Sequence, residues 1–382
     1  MIYYGHQHIT NEDIEAVREV LTSDFLTQGP AIERFERSVA GYCGAAYAVA
    51  VTNATAALHI ACQAAGLGKG DVLWTSPVTF VASANCARYC GADVDFVDID
   101  DKTYNMSVAA LEKKLKTAKK LPKVVVPVHL AGQSCAMQRI WELSREYGFT
   151  VIEDASHAIG ASYQDDQVGS CTYSDMTVFS FHPVKIITTG EGGMVLTNRQ
   201  ELCDALQLYR SHGITRDPSR MTRGADEPWY YEQIALGCNY RMTDLQAALG
   251  ASQMTKLDAF VARRRQLVRR YNEKLNGLPI RTPYCLPEAN PSWHLYIVRL
   301  DPDRVKKSKQ EIFAGMKEHG VMLNLHYIPV HLQPYYRALG FGDGDFPVSE
   351  QYYREALTLP LYYDLTDAQQ DKIIAALRDV LA

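Results

Sequence analysis

An apolar run, Val151-Ile152, ends on the acid pair Glu153-Asp154, and thirty-one residues after Asp154 (185 minus 154) Lys185 closes the string Ser180-Phe181-His182-Pro183-Val184-Lys185 behind a second apolar run. Ligands of open parallel sheets sit beyond the carboxyl ends of the strands, and both side chains fall at such ends. A lysine held in low-dielectric surroundings loses its charge more readily, and the freed lone pair attacks carbonyl carbons. Taken singly, each residue has a plain reading, the lysine as a solvated cation and the aspartate as a turn cap. At two neighbouring strand ends they read as a site.

Two further segments point to the same place. Thr52-Asn53-Ala54-Thr55-Ala56-Ala57-Leu58 joins a strand to a helix of small residues. The unpaired N–H groups and positive dipole end of such a helix favour a phosphate, with the Thr55 hydroxyl adding a donor. Ser76-Pro77-Val78-Thr79-Phe80 also follows a strand, so Phe80 either stacks on a planar ligand or packs in the core. Phosphate anchor, carboxylate, amine and aromatic face together match the needs of pyridoxal 5'-phosphate: a grip on its phosphate, a partner for its ring nitrogen, an amine for its aldehyde and a surface for its ring.

The surrounding sequence supplies elements able to hold these groups. Short apolar runs recur at Tyr47 to Val51, Val72 to Thr75, Val94 to Ile99, Val124 to Val128, Thr150 to Glu153, Met176 to Phe181 and Met194 to Thr197, with helical segments between most of them. The first five read as β-α units of a mostly parallel seven-stranded sheet, and Gly190-Glu191-Gly192-Gly193 between the last two predicts a tight return and one antiparallel strand. Two amphipathic helices precede the first strand, the earlier one capped by Thr10. Beyond residue 240 one long helix is expected from Thr243 toward Leu275. There follow strand-like His294 to Leu300, a helix ending at Glu318 with a Ser308/Glu311 capping box, strand-like Val321 to Tyr327, and helices near Ser349 to Leu357 and Thr366 to Leu381. The expected fold class is α/β, with a large cofactor-binding domain over residues 1–250 and a smaller α+β domain over residues 251–382.

Composition narrows the function. The 382 residues are 47% apolar and 22% charged, which suits a globular chain, and a net charge of -5 without basic blocks argues against nucleic-acid or membrane partners. The start of the chain carries neither a signal nor a transit pattern, and nine cysteines lie without CxxC pairs, so a cytoplasmic protein with reduced thiols is expected. His326 and His331 have no carboxylate or thiol at ligand spacing, so no metal is expected. A nicotinamide-dependent sugar epimerase or reductase would need a GxGxxG turn after the first strand, and none is present there. A pyridoxal phosphate-binding regulator would need an added effector or nucleic-acid module, and none is visible.

From the first residues to Leu381 the chain resembles the DegT/DnrJ/StrS sugar aminotransferases, which have the fold type I pyridoxal phosphate architecture. Phe25-Leu26-Thr27-Gln28-Gly29-Pro30, the string Phe179 to Asn198 and Pro228-Trp229-Tyr230-Tyr231 are most similar to the branch that serves pseudaminic-acid biosynthesis. The resemblance implies that Lys185 carries the cofactor, Asp154 pairs with its ring nitrogen, and His157 lies near its phenolic oxygen, where members often have Gln. It implies that Ala54, Thr55 and Ser180 hold the phosphate, Ala54 standing where Gly is usual, and that Asn239 reaches the neighbouring subunit's phosphate site in a homodimer. Tyr4, Leu26, Thr27, Gln28, Gly29, Arg241, His326 and Tyr327 are implied as substrate contacts. Arg241 is open to two readings, a grip on a diphosphate or donor carboxylate and an intersubunit ion pair. The implied reaction moves the amino group of glutamate to C4 of a UDP-2-acetamido-2,6-dideoxy-4-keto-hexose. The alternative substrates are dTDP-linked, GDP-linked or 3-keto sugars. The lysine also separates the chain from relatives that deoxygenate the sugar with a histidine in its place.

Overall fold

A computed structural model describes residues 1–223 and 227–382. Seven strands form the central sheet: β1 (Tyr47–Val51), β2 (Val72–Thr75), β3 (Asp93–Phe96), β4 (Val124–Val126), β5 (Thr150–Asp154), β6 (Met176–Ser180) and β7 (Gly193–Thr197). Their order is β1-β7-β6-β5-β4-β2-β3. All pairings from β6 to β3 are parallel, whereas β7 runs antiparallel to both β6 and β1. The expected sheet and its one reversed strand are both present. The central strands are buried on both faces, which is why they read as unbroken apolar runs rather than as alternating ones.

Helices cover the two faces. Before β1 come α1 (Asn11–Leu21), with Thr10 and Asp13 closing its capping box, and α2 (Pro30–Cys43). The crossovers that follow are α3 (Ala54–Ala64), α4 (Ala82–Tyr89), α5 (Val108–Thr117) and α6 (Met137–Tyr147), and α7 (Gln200–Arg210) comes after β7. Every residue of α3 from Ala56 to Cys62 is buried, because it packs between the sheet, α4 and α7. Its small side chains permit that close approach.

The long helix expected from Thr243 is two helices, α8 (Asp244–Met254) and α9 (Leu257–Lys274). Contacts invisible to helical periodicity break it. Buried Asp13 draws in Ser252 Oγ at 2.6 Å, Gln253 Nε2 at 2.7 Å and Lys256 Nζ at 2.6 Å, while Thr255 and Lys256 make tight three-residue turns. Beyond α9 a small antiparallel sheet orders β8 (Ile280–Arg281), β9 (Tyr296–Leu300) and β10 (Ala356–Leu359). Helices α10 (Lys309–Glu318), α11 (Pro347–Glu355) and α12 (Asp367–Leu381) accompany it, and α10 has the Ser308/Glu311 capping box. β10 lies partly where the sequence suggests helix, since Ala356-Leu357 finds Arg299 and Val298 of β9 as partners. The strand-like stretch Val321 to Tyr327 makes only single bridges, Val321 to Ile2 and Asn324 to Thr358. Helix α9 joins the two parts: Leu257, Phe260 and Val261 pack toward the large sheet, and Leu267, Val268 and Tyr271 toward the small one.

Candidate active site

Strand register brings the chemical groups into one row. Val51 of β1 is level with Gly193 of β7, and Gly193 with Ser180 of β6, while Asp154 ends β5 beside Val178. The turn into α3 therefore stands next to the ends of β5 and β6. A Cβ on Gly193 would lie 2.5 Å from the Asn53 carbonyl carbon and 2.7 Å from the Ala54 nitrogen, so only glycine lets β7 pass this turn. Asn53 caps α3, its Oδ1 accepting from the Ala56 N–H at 2.8 Å. The N–H groups of Ala54 and Thr55 lie in the first helical turn, where no intrahelical acceptor exists.

These residues line a cleft of about 1230 Å³. Its sheet-side wall holds Ala54, Thr55, Phe80, Asp154, His157, Ser180 and Lys185. Phe80 is 58% exposed, which excludes the core reading, and its ring centroid is 6.2 Å from that of Tyr327. Lys185 is half-buried, and burial pushes its amine down from 10.5 to about 8 against the opposing pull of Asp154. Three donors fix the Asp154 carboxylate. Ser83 Oγ reaches Oδ2 at 2.5 Å, and the Ser156 N–H and Oγ reach Oδ1 at 3.1 and 2.6 Å.

The facing wall comes from Tyr4, His294 and the segment Asn324 to Tyr327. His157 spans the gap, with Nδ1 3.3 Å from the Ala131 nitrogen and Nε2 3.1 Å from Tyr327 Oη. His326 is buried, bonds Thr358 Oγ1 at 2.9 Å, and is held down to about 3 by burial and by the charge on Lys185. His331 is elsewhere, paired with Glu350 at 3.2 Å. Among the described residues no group of three His, Cys, Asp or Glu side chains could hold a metal ion.

Six of the sequence-derived candidates lie outside this lining. Leu26, Thr27, Gln28 and Gly29 dock on the start of α8, where Asp244 Oδ2 accepts from the Gly29 N–H at 2.8 Å and the Leu26 carbonyl accepts from Asp244. Asn239 is exposed, and Arg241 is half-buried with its backbone bridged to Val51.

Residues 7–378 match the DegT/DnrJ/EryC1/StrS aminotransferase family. The spore coat polysaccharide biosynthesis protein SpsC of Bacillus subtilis is 38% identical over 381 residues, 99% of this chain and 96% of its own. Helicobacter pylori PseC, an aminotransferase involved in the biosynthesis of pseudoaminic acid, superposes with a TM-score of 0.91 at 28% identity, covering 100% of this chain and 99% of that one. The pyridoxal phosphate form of a putative sugar aminotransferase, Spr1654 of Streptococcus pneumoniae, gives 0.89 at 28%, with 99% of each chain covered. The chain belongs to the DegT/DnrJ/EryC1/StrS aminotransferase family.

Pyridoxal phosphate is the cofactor of these aminotransferases, and the cleft of this aminotransferase fits it. The helix start with Thr55 and Ser180 offers donors for a phosphate, Asp154 an anion for a ring nitrogen, Lys185 an amine of lowered affinity for protons, and Phe80 an open ring face. Sequence reading missed Ser83, Ser156, His294 and Asn324. Ser156 carries a signal, because a serine two residues after an aspartate commonly bonds back to it. Ser83 carries none: it reaches Asp154 from α4 across 71 residues (154 minus 83) and itself accepts from Thr79 Oγ1 at 2.7 Å.

Proposed function

We propose that this aminotransferase moves the amino group of glutamate to C4 of a UDP-2-acetamido-2,6-dideoxy-4-keto-hexose, giving the UDP-4-amino-4,6-dideoxy-N-acetyl sugar of pseudaminic-acid biosynthesis. The observation that carries the transamination is the meeting of Lys185, Asp154 and the start of α3 in one cleft. The choice of sugar is supported by the likeness to PseC over the whole chain. Bound in the cleft, pyridoxal phosphate supplies an electron sink for the carbanion left when a proton departs from carbon.

Lys185 holds the cofactor and, once freed by the amino donor, moves protons. Its Nζ takes the proton from the donor's α-carbon in the first half-reaction and delivers one to C4 of the sugar in the second. A conjugate acid near 8 suits an amine that must both accept and release protons close to neutrality. Asp154, clamped by Ser83 and Ser156, sets a negative charge against the ring nitrogen. Ala54, Thr55 and Ser180 grip the phosphate, and Phe80 covers the ring. His157 borders the ring's phenolic oxygen. Domain 1–250 thus supplies the chemistry, and domain 251–382 closes the cleft with His326 and Tyr327.

The active unit we assign is at least a homodimer. Asn239 and Arg241 lie outside their own chain's cleft lining, as residues serving a partner's site would. Leu26, Thr27, Gln28 and Gly29 are assigned to the sugar by way of the partner in the same manner, and Tyr4 within its own chain. Mixing Lys185→Ala with Asn239→Ala subunits, each inactive alone, regenerates one intact site per heterodimer. No recovery despite proven subunit exchange removes the shared site. The protein is placed in the cytoplasm, a compartment that suits nine free thiols. Among the described residues no helix is long and apolar enough to cross a membrane. Incubation with UDP-, dTDP- and GDP-linked 4-keto sugars and with 3-keto analogues, read by mass spectrometry, tests the substrate. Turnover of the UDP-linked N-acetyl 4-keto sugar is expected to dominate, and equal use of dTDP-linked or 3-keto sugars removes the pseudaminic-acid assignment.

A further inference from the structure

His157 and Tyr327 form a hydrogen-bond chain whose direction is set at its buried end. The Ala131 N–H donates to His157 Nδ1 at 3.3 Å. A ring nitrogen that accepts carries no proton, so the imidazole is neutral with its hydrogen on Nε2; a protonated ring would set one N–H against another.

The donor cannot turn away. Ala131 has φ 60°, a left-handed conformation costly for alanine, and Gly132 follows at φ 96°. A Cβ there would lie 2.9 Å from His157 O, Ser292 Oγ and Trp293 N. Ser292 ties both sides together, its N–H donating to Gly132 O at 3.1 Å and its Oγ to His157 O at 3.2 Å. Burial, with the charge of Lys185, also holds the His157 ring well below its ordinary value.

The Nε2 hydrogen faces Tyr327 Oη at 3.1 Å, so the phenol oxygen accepts. Its own hydrogen is then available only to a different acceptor. Tyr327 lines the cleft, and burial with the charge of Asp154 pushes its phenol up, which keeps that hydrogen in place.

We propose that Tyr327 is a one-way hydrogen-bond donor, its O–H aimed by the Ala131–His157 relay at an electron-rich oxygen of the ligand in the cleft. This rests on the reading of the cleft as a cofactor and keto-sugar site. Two oxygens have the required chemistry, the cofactor's phenolate and an oxygen of the sugar, and both are acceptors. A ligand presenting only a hydrogen at this point is rejected, because donor would meet donor.

Long-range 1H–15N NMR on the cofactor-free wild-type protein reads the relay directly, and a neutral Nε2–H tautomer is expected for His157. Three variants then report on the ligand. Tyr327→Phe removes the donor. His157→Gln can accept at Oε1 and donate at Nε2, keeping the direction. His157→Glu accepts at both oxygens and captures the Tyr327 hydrogen. Spectral titration with pyridoxal phosphate gives its Kd, and steady-state kinetics give KM for the keto-sugar.

Tyr327→Phe and His157→Glu are each expected to worsen one of these constants about tenfold, with His157→Gln recovering to within about threefold of wild type. A weaker cofactor Kd identifies the phenolate as acceptor, and a raised KM alone identifies a sugar oxygen. An Nδ1–H tautomer, unchanged constants in Tyr327→Phe, or equal behaviour of the Gln and Glu variants overturns the proposal. If wild-type protein binds no pyridoxal phosphate, the underlying reading of the cleft fails instead, and the NMR result still judges the relay.

Discussion

The two walls of the cleft are made in different ways. On the sheet side, the start of α3, Asp154 and Ser180 stand at the ends of β1, β5 and β6, which strand register sets side by side, and Phe80 and Lys185 lie on the turns that follow β2 and β6. The facing wall takes Tyr4 from the chain's start, His294 from just before β9, and Asn324 to Tyr327 from a segment with single bridges to its neighbours. A rigid sheet fixes reacting atoms, and irregular backbone can be shaped around a particular ligand. In the proposed function, chemistry falls to the first wall and selection to the second.

Substitutions can break that division. The largest effect is expected from Lys185→Ala, which removes the amine. Turnover should fall by about 10⁴-fold or more, with no visible band from covalently held cofactor. Borohydride labelling at a different lysine would overturn the assignment. Asp154→Asn keeps the shape but loses the counter-charge, and turnover should drop by about 10²- to 10⁴-fold while cofactor still binds. Near-normal rates would remove its role.

Gly193→Ala tests the sheet wall through its backbone. A methyl 2.5 Å from Asn53 must displace the start of α3, costing about 1–3 kcal/mol of stability and weakening phosphate binding. Thermal unfolding and cofactor titration measure both losses, and an unchanged Kd would separate the turn from the phosphate. On the facing wall Tyr4→Phe is expected to raise KM for the sugar about fivefold with kcat nearly constant, as one neutral hydrogen bond is worth. A fall in kcat of the same size would make this wall part of the chemistry.

The smallest and most specific effect concerns pH. The neutral form of the Lys185 amine grows as pH rises, and its lowered value places the midpoint near 8 rather than 10.5. Covalent capture of pyridoxal phosphate by the cofactor-free protein should accelerate with pH and level off above about 8. Acceleration continuing toward 10.5 would mean an amine as solvated as a surface lysine.

The same contrast governs how much could be read from sequence. β1 and β2 end where their apolar runs do, and Asp154 and Lys185 were visible because burial on both faces leaves an uninterrupted signature that stops at a polar residue. The facing wall gave Tyr4, His326 and Tyr327 only by family resemblance, since segments without periodic structure carry no pattern to extrapolate. Glu153 and Asp154 show the limit within one strand. They look alike in sequence, yet Glu153 is consumed by His129 at 2.6 Å, Ser174 at 2.5 Å and Thr177 at 2.9 Å, while its neighbour faces the cleft. Alternation separates their faces, but which face holds the ligand depends on the fold. The split between α8 and α9 was equally hidden, being imposed by Asp13 from about 240 residues away.

Gly193 touches the turn at Asn53 from 140 residues further along the chain (193 minus 53), with five strands of the sheet formed in between. Contacts of such separation form only after the intervening loops have been closed, at an entropic cost that local helices never meet. The donors at the start of α3 consequently gain their final position late, when β7 inserts between β1 and β6. A chain halted before that insertion has its helices and much of its sheet but no anion site. Cofactor capture by a refolding chain thus dates the entry of the antiparallel strand.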